Sequence, residues 1–418
     1  MKLNLKIIIN FIAIFSFCYS ERLKLKKADV LESKRIGFET VKILKGNIEF
    51  QKGNVELKCQ NSTYKEKKDI AYLYDNVKMD KEDINLSCDS ITFYSKENKL
   101  ESTGDPIIQD TEYRLAASKL IYFTDLDSGI AIGNVELLQN NQKIKADRIE
   151  YIKKSRSNTV SYLAIGNVEI IDSLRTAICG LASYNALNGK TVLDQKPKII
   201  DEERIINGDQ INLNYDKNVL KRIFIPKNAN ISSVSKGYNQ AKDDSLKTVL
   251  KFDDRMSSKS LNGFFINGNL DSLKLVGMAS TTYHIFEDSL FKGKNITSGD
   301  TITMKFVKKD LNDIIVSGGS QGEYAPNPKT NDSEHPLIYS ADKIDYFLKT
   351  ETTKLIGNAN AQHENTDLKA GFIKVNWPTK ILTAFPRQIN DSTSQFIKPT
   401  IIEEGKDPMV GSEMTYNL

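Results

Sequence analysis

Apolar and polar residues alternate in short runs along most of this chain, and two kinds of run recur. In the first, a small residue and an acidic or hydroxyl residue precede alternating apolar positions, as in Ala146-Asp147-Arg148-Ile149-Glu150-Tyr151. In the second, Gly-Asn precedes the alternation, as in Gly166-Asn167-Val168-Glu169-Ile170. Period-two alternation is typical of a strand with one buried face and one wet face. Each unit is therefore predicted to be a pair of strands, the second opened by Gly-Asn.

The small residue that opens the first run recurs at a fixed spacing. Cys59, Cys88, Ala117 and Ala146 follow one another at intervals of 29 residues. Later copies are spaced more loosely, at Gly180, Gly208, Gly299, Ala341, Ala370 and Gly411. A fixed period of this kind indicates a stack of equivalent supersecondary units. The sequence thus predicts an all-β fold with a repeat of about 29 residues.

Composition agrees with a thin β structure. Hydrophobic residues make up 39% of the chain and charged residues 27%, which suits strands that are wet on one side. Seventeen Tyr and 18 Phe against a single Trp favour strand positions. The formal net charge of +4 is small and well mixed along the chain, which argues against nucleic acid as a partner.

The repeats predict a division of the chain. Residues 1–20 are predicted to be an export signal peptide, with Lys2 and Lys6 before an apolar run. Lipidation at Cys18 is the less favoured alternative, because Phe17 before it is bulky. Residues 21–232 are predicted to form one β module and 263–418 a second one that ends in mid-repeat. The serine- and aspartate-rich stretch 233–262 is predicted to be a loop or linker, and the sequence leaves open whether residue 418 is a natural end.

Two cysteines occupy the same repeat position one period apart. Cys59 and Cys88 would form a disulfide if they lay on adjacent strands in an oxidising compartment. Alternatively, each fills a slot that Ala or Gly occupies in other repeats. Both interpretations remain open at this stage.

The repeated units resemble the OstA-like repeats of the LptA family of lipopolysaccharide transport proteins, which includes the periplasmic N-terminal domain of LptD. The resemblance is close over residues 46–231 and looser over 264–418. It implies a β-jellyroll, here of two consecutive modules, whose apolar groove carries the acyl chains of lipopolysaccharide or a related lipid. It also implies end-to-end strand pairing with other jellyroll proteins of the transport system or with itself, an outer-membrane translocon as partner, and a periplasmic location, in possible association with the outer membrane.

An apolar trough would hold an acyl chain without any chemistry, since each buried methylene contributes about 0.8 kcal/mol. The same side chains, however, could simply form the core and touch no ligand. The candidate groove positions are Val55, Leu57, Ile91, Phe93, Leu120, Tyr122, Val135, Leu137, Ile149, Tyr151, Val168, Ile170, Ile211, Leu213, Tyr215, Ile302, Met304, Phe306, Ile344 and Tyr346.

Two other classes of function compete with lipid transport. Catalysis would need clustered acids or bases, whereas the acidic residues are spread through turns and outer faces. His284, His335 and His363 lie far apart in sequence and outside any metal or nucleophile motif, so no enzyme activity, cofactor or metal is expected. A surface adhesin or structural repeat protein is the alternative, and it would carry polar or small residues inside the stack.

Overall fold

The chain is an all-β protein with a jellyroll fold. The computed structural model describes residues 21–37, 39–153, 160–201, 204–238, 249–308, 310–328, 335–388 and 396–418. Across these ranges it contains strands and two short 3-10 turns, and none of its helices is long and apolar enough to cross a membrane. The predicted signal peptide, with Cys18, lies outside the described residues.

The elements follow one another as short and long strands. In chain order they are β1 (Lys24–Lys27), β2 (Val30–Ile36), β3 (Glu39–Lys52), β4 (Val55–Lys65), β5 (Ile70–Lys81), β6 (Ile84–Tyr94), a 3-10 turn (Ser95–Glu97), β7 (Lys99–Thr103), β8 (Ile107–Gln109), β9 (Tyr113–Ala116), β10 (Lys119–Phe123), β11 (Ser128–Gln139), β12 (Gln142–Lys153), β13 (Val160–Ile171), β14 (Arg175–Asn185), β15 (Lys190–Asp194), β16 (Lys198–Asp201), β17 (Arg204–Asn207), β18 (Gln210–Asp216), β19 (Val219–Ile225), β20 (Ala229–Tyr238), β21 (Val249–Ser258), β22 (Ser260–Ile266), β23 (Asn269–Glu287), β24 (Leu290–Val307), β25 (Asp310–Pro326), β26 (Leu337–Phe347), a 3-10 turn (Leu348–Thr350), β27 (Thr352–His363), β28 (Thr366–Asn376), β29 (Ile381–Phe385), β30 (Arg387–Gln388), β31 (Phe396–Ile397), β32 (Thr400–Glu403), β33 (Met409–Val410) and β34 (Met414–Asn417).

These strands form two compact units. Among the described residues, the first comprises those up to Thr111 with Ser118–Gly129, and the second comprises Glu112–Ala117 with those from Ile130 to Leu418. In the first, β3 to β6 pair in succession, β1 and β2 both pair with β3, β6 pairs with β7 and β8, and β7 pairs with β10. The predicted modules, 21–232 and 263–418, do not coincide with these units.

In the second unit the sheet divides and rejoins. The two halves of β14 pair with different strands, β16 and β15. One branch continues through β17, β20 and β21, the other through β18, β19 and β22, and both meet β23. From there β23 to β28 pair in succession, and β28 divides again between β29 and β32. This division is typical of a jellyroll, because the two halves of a long strand pair with different neighbouring strands.

The long strands change direction at the Gly-Asn pairs. Gly166 and Asn167 both have positive φ (74° and 45°) and together oppose one residue of β14, which is a β-bulge. Gly46-Asn47 in β3 and Gly357-Asn358 in β27 do the same against β4 and β28. Gly-Asn therefore bends a strand in its interior, and the prediction that it opens a second strand is wrong. Glycine and asparagine are the residues that tolerate this left-handed backbone.

The aspartate of the first run binds the bend of the next strand. Asp147 of β12 lies against Gly166, where a β-carbon would collide with its carboxylate, and its Oδ2 accepts a hydrogen bond from Asn167 Nδ2 at 3.0 Å. Asp342 makes the same contacts with Gly357 and with Asn358, at 3.0 Å. We call this Asp, Gly, Asn set the bend clasp. The two sequence runs are thus halves of one device on neighbouring strands.

The stretch 233–262 contains strands instead of the predicted loop, apart from 239–248, which lie outside the described residues. It includes all of β21 and parts of β20 and β22, and β22 pairs with β19 on one side and β23 on the other. In β21 the side chains of Leu250, Phe252 and Met256 are half-buried and alternate with exposed polar residues. Asp253 and Ser257 lie on the exposed face of β21, whereas Asp254 lies on its half-buried face and accepts a hydrogen bond from the backbone amide of His284 at 2.8 Å.

The cysteines at the two equivalent positions are not bonded to each other. Cys59, Cys88 and Cys179 are all free thiols. Cys59 lies on β4 and Cys88 on β6, and β5 runs between these strands, which places them two strand spacings apart, about 10 Å. This exceeds the reach of a disulfide, so the proposed bond is absent. The alternative interpretation, a small residue at the bend, describes these positions.

Buried lysines close one end of the first unit. Lys52 Nζ donates to the carbonyl of Ser95 and to Asn98 Oδ1, and Lys81 Nζ donates to Thr124 O (2.6 Å) and Asp127 Oδ1 (2.5 Å). The acceptors lie 43 and 46 residues after the lysine in both cases, so the arrangement is itself repeated. Burial lowers the pKa of Lys52.

Candidate functional site

The twenty candidate groove positions point into the two units. All are buried except Tyr215 and Phe306, which are half-buried. In β12, Ile149 pairs with Ala164 and Tyr151 with Tyr162 on β13, so aliphatic and aromatic rungs continue from strand to strand. The alternation thus marks the face of these strands on which most side chains are buried. Contact of these side chains with a lipid stays a prediction.

A narrow opening reaches this interior in the second unit. It encloses about 30 Å³ and includes three of the predicted positions, Ile170, Leu213 and Tyr215. Its remaining lining combines polar and apolar groups: Gln142, Tyr162, Asp172, Arg175, Ala177, Thr191, Ile199, Leu220 and Ile223. This volume is about that of a single water molecule, so the apolar side chains here largely fill the space between them.

Burial keeps the phenols at this opening neutral. It raises the pKa of Tyr162 and of Tyr215 above the ordinary value of 10. Arg175 lies 3.6 Å from Asp201, and the Asp172 carboxylate accepts hydrogen bonds from the backbone amides of Leu174 and Arg175. The charged groups beside the opening are thus already paired.

A much larger cavity lies towards the end of the second unit. We call it the C-terminal chamber; it has a volume of about 570 Å³. It is lined by Tyr283, Ile285, Phe286, Glu287, Lys292, Asn295, Tyr324, Pro326, His335, Leu337, Tyr346, Phe347, Leu348, Glu351, Thr352, Thr353, His363, Trp377, Pro378, Lys380 and Leu418. Of the twenty predicted positions, only Tyr346 reaches it.

Buried polar groups form a connected network beside the C-terminal chamber. Asn295 Nδ2 donates to Tyr339 Oη at 2.9 Å, and Thr297 Oγ1 donates to Asn295 Oδ1 at 2.8 Å. Tyr346 Oη lies 2.9 Å from Thr297 Oγ1 and 3.1 Å from Tyr339 Oη. Burial raises the pKa of Tyr339 and of Tyr346. The network is therefore a set of neutral hydroxyl and amide groups.

The remaining polar lining of the C-terminal chamber is balanced in charge. Glu287 and Lys292 form an ion pair at 2.8 Å. His363 Nδ1 lies 3.1 Å from Tyr416 Oη, and burial lowers the pKa of His363, which makes it neutral at pH 7. Trp377 Nε1 donates to Thr353 Oγ1 at 2.9 Å. The aromatic walls thus carry fixed, mostly neutral hydrogen-bonding groups.

Sequence reasoning missed nearly all of this chamber. Its residues come from β23 to β28, from the turns beside these strands and from Leu418 after β34, at positions that the repeat rule leaves unspecified. One signal was present: Asn295 and Thr297 alternate in β24 at positions where other repeats have apolar residues. Over the ranges that the structure describes, no three His, Cys, Asp or Glu side chains are grouped so as to hold a metal ion.

Comparison with known proteins finds a family that part of the chain resembles. Residues 124–219 match the family described as LptA/(LptD N-terminal domain) LPS transport protein. This segment is therefore similar to the LptA/LptD N-terminal domain family. The segment carries the rungs of β11 to β18, including Ile149, Tyr151 and Val168. No curated protein matches the chain.

One solved structure similar to the chain is LptH from Pseudomonas aeruginosa, described as the LptA homologous periplasmic component of the conserved lipopolysaccharide transport device. The two share 16% sequence identity, and the match covers 36% of this chain and 94% of LptH with a TM-score of 0.28. A TM-score this low adds nothing to the fold that the strand pairing establishes.

Proposed function

We propose that this chain is a non-enzymatic periplasmic lipid-binding protein that carries lipopolysaccharide, or bridges its passage, towards the outer membrane through the apolar interior of its jellyroll. The observation that carries the proposal is the family match over residues 124–219, a segment whose inward positions are apolar and buried. Burial of the methylenes of an acyl chain is favourable, and the hydrophobic effect does not depend on direction. A row of similar apolar rungs therefore lets a lipid slide between equivalent positions.

The narrow opening beside Tyr215 is the proposed point of contact with an acyl chain. Tyr162, Leu213 and Leu220 line it together with Tyr215. Because its free volume holds only about one water molecule, a lipid must separate these side chains to enter. The proposal therefore includes an opening motion of the second unit when cargo binds.

Free strand edges provide the proposed joints with partners. Among the described residues, β2 pairs only with β3, and Val30, Leu31 and Ile36 on it are exposed. At the other end of the chain β34 pairs only with β29 within the described part. Unpaired edges accept a further strand, so a jellyroll protein of the same transport system, a second copy, or an outer-membrane translocon would add a strand at these edges.

Photo-crosslinking tests the lipid part of the proposal. A benzophenone amino acid replaces Tyr215 in the chain 21–418, and the protein is irradiated with lipopolysaccharide and separated by electrophoresis. The matched control carries the probe at Asp216, the exposed residue that ends β18. Lipid attached at position 215 and absent at 216 is expected. Equal labelling at both, or none at 215 in a folded protein, would contradict transport through the interior.

A further inference from the structure

The C-terminal chamber differs in chemistry from the apolar interior of the repeats. Positions such as Leu57, Ile91 and Leu120 in the first unit are aliphatic and completely or almost completely buried. In the chamber, the buried lining includes an amide, a phenol, an imidazole and a hydroxyl, from Asn295, Tyr346, His363 and Thr353. An acyl chain gains nothing from such groups, because it offers no hydrogen-bonding partner.

The size and walls of the C-terminal chamber fit a small ligand. About 570 Å³ lies within the range of small-molecule sites, which combine aromatic walls with a few placed polar groups. Tyr283, Phe286, Tyr324 and Trp377 supply flat apolar faces, and Trp377 and Tyr324 are packed edge to face at 5.1 Å. A ring with apolar faces and a polar rim matches walls of this kind.

Charge narrows the ligand class further. Lys292 forms an ion pair with Glu287. The lining contains one further lysine, Lys380, and one further glutamate, Glu351, so its lysines and glutamates are equal in number. A phosphate or carboxylate ligand would favour a surplus of cations at the site, which this lining does not have. Hydroxyl and amide groups, in contrast, both donate and accept, and so do the hydroxyls of a sugar.

We propose that the C-terminal chamber binds a neutral polyhydroxylated ring, the chemical class of a single sugar unit, either attached to a lipid or free in solution. The ring lies against the aromatic walls and exchanges hydrogen bonds with Asn295 and Tyr346. This site has a different lining from the opening beside Tyr215, and it shares one candidate groove position, Tyr346, with the proposed lipid path.

The single tryptophan of the chain makes the test direct, because Trp377 lines the chamber. Its fluorescence emission is followed during titration with methyl glycosides of glucose, galactose, mannose and N-acetylglucosamine, with octyl glucoside below its micelle concentration, and with octanol. A saturable shift with a methyl glycoside or octyl glucoside, and none with octanol, is expected. A much lower Kd for octyl glucoside than for methyl glucoside would identify a lipid-borne sugar, and comparable values a free one.

Variants connect the signal to the polar network. Tyr346→Phe keeps the ring and removes the hydroxyl, and it should raise the Kd about 3- to 10-fold, the effect of one hydrogen bond. Tyr64→Phe, which removes a hydrogen-bonded phenol in the first unit, should leave the Kd unchanged. Circular dichroism verifies folding. An octanol response equal to that of octyl glucoside, or no response of Trp377 to any glycoside, overturns the proposal.

Discussion

At the scale of single residues, the bend clasp explains why three residue types recur together. The glycine gives the aspartate of the preceding strand room to approach, the asparagine accepts a left-handed backbone and donates to that aspartate, and the aspartate holds both. Asp147, Gly166 and Asn167 show all three contacts. The sequence presented both runs, but their contact across neighbouring strands is visible only once the strands are paired.

Gly166→Ala should destabilise the second unit more than Gly268→Ala. Both glycines have positive φ, 74° and 79°, which costs alanine about 1–2 kcal/mol. Only at Gly166 would the new β-carbon also collide with Asp147, whereas nothing lies within 4 Å at Gly268; such crowding adds about 1–3 kcal/mol. Urea unfolding measures both variants. In an Asp147→Ala background the difference between them should vanish, and its persistence would refute the clasp.

His363 should make stability depend on pH. Burial lowers its pKa, so the unfolded chain binds a proton more readily than the folded one. The free energy of unfolding should therefore be unaffected by His363 above pH 6.5 and should fall as the pH drops below that value towards the folded pKa. Urea unfolding between pH 7.5 and 5.5 tests this. His363→Gln should flatten the slope relative to the native protein, while His335→Gln, at an exposed position 6.4 Å from His363, should flatten it much less.

At the scale of elements, specific side-chain hydrogen bonds fix the ends of some strands, in addition to the backbone pairing along their middles. Lys52, at the end of β3, reaches the turn after β6, and Lys81, at the end of β5, reaches the turn after β10; each donates to a backbone carbonyl there. Their ammonium groups are buried, although lysine is rarely buried unless paired. The repeated spacing indicates that each turn needs a cation from an earlier strand.

Lys81→Met should lower the free energy of unfolding of the first unit by about 2–3 kcal/mol, because Thr124 O and Asp127 lose a charged donor in a buried setting. The matched control is Lys58→Met, an exposed lysine paired with Glu56 at 3.1 Å, which should cost less than about 0.5 kcal/mol. Chemical denaturation followed by circular dichroism measures both. Equal effects would show that the buried lysine has no special role.

Much of this element-scale picture could be predicted, and some could not. Alternation identified the buried face of β12 correctly, since Ile149 and Tyr151 are buried and Glu150 less so. It failed in β21, where a strand with one wet face carries enough serine and aspartate to resemble a loop. It also missed the C-terminal chamber, because a rule for apolar repeats passes over inward polar residues such as Asn295.

At the scale of the whole molecule, no covalent link between the described cysteines contributes to stability. Cys59, Cys88 and Cys179 occupy positions in both units, and burial raises their pKa to about 11, 12 and 11. The thiolate, which is the reactive form, is therefore scarce at neutral pH.

Reductant should leave the melting temperature of chain 21–418 unchanged, and three thiols per chain should titrate with a chromogenic disulfide after unfolding in urea. In the folded protein at pH 8 the same thiols should react at least about 100-fold more slowly than a free cysteine of pKa 8.5, because less than about 1% is thiolate. A count of one thiol after unfolding would reveal a disulfide and contradict the structure.

The bend clasp also makes the length of each unit adjustable in steps. Every clasp links one strand only to the next, so inserting a whole repeat of 29 residues adds one more hairpin and leaves the existing clasps as they were. Each inserted hairpin would extend its sheet by about 10 Å, two strand spacings. Duplication of whole repeats therefore lengthens such a sheet in equal steps of one hairpin. Insertion of half a repeat would instead place the aspartate of a clasp beside a strand that lacks the matching Gly-Asn bend.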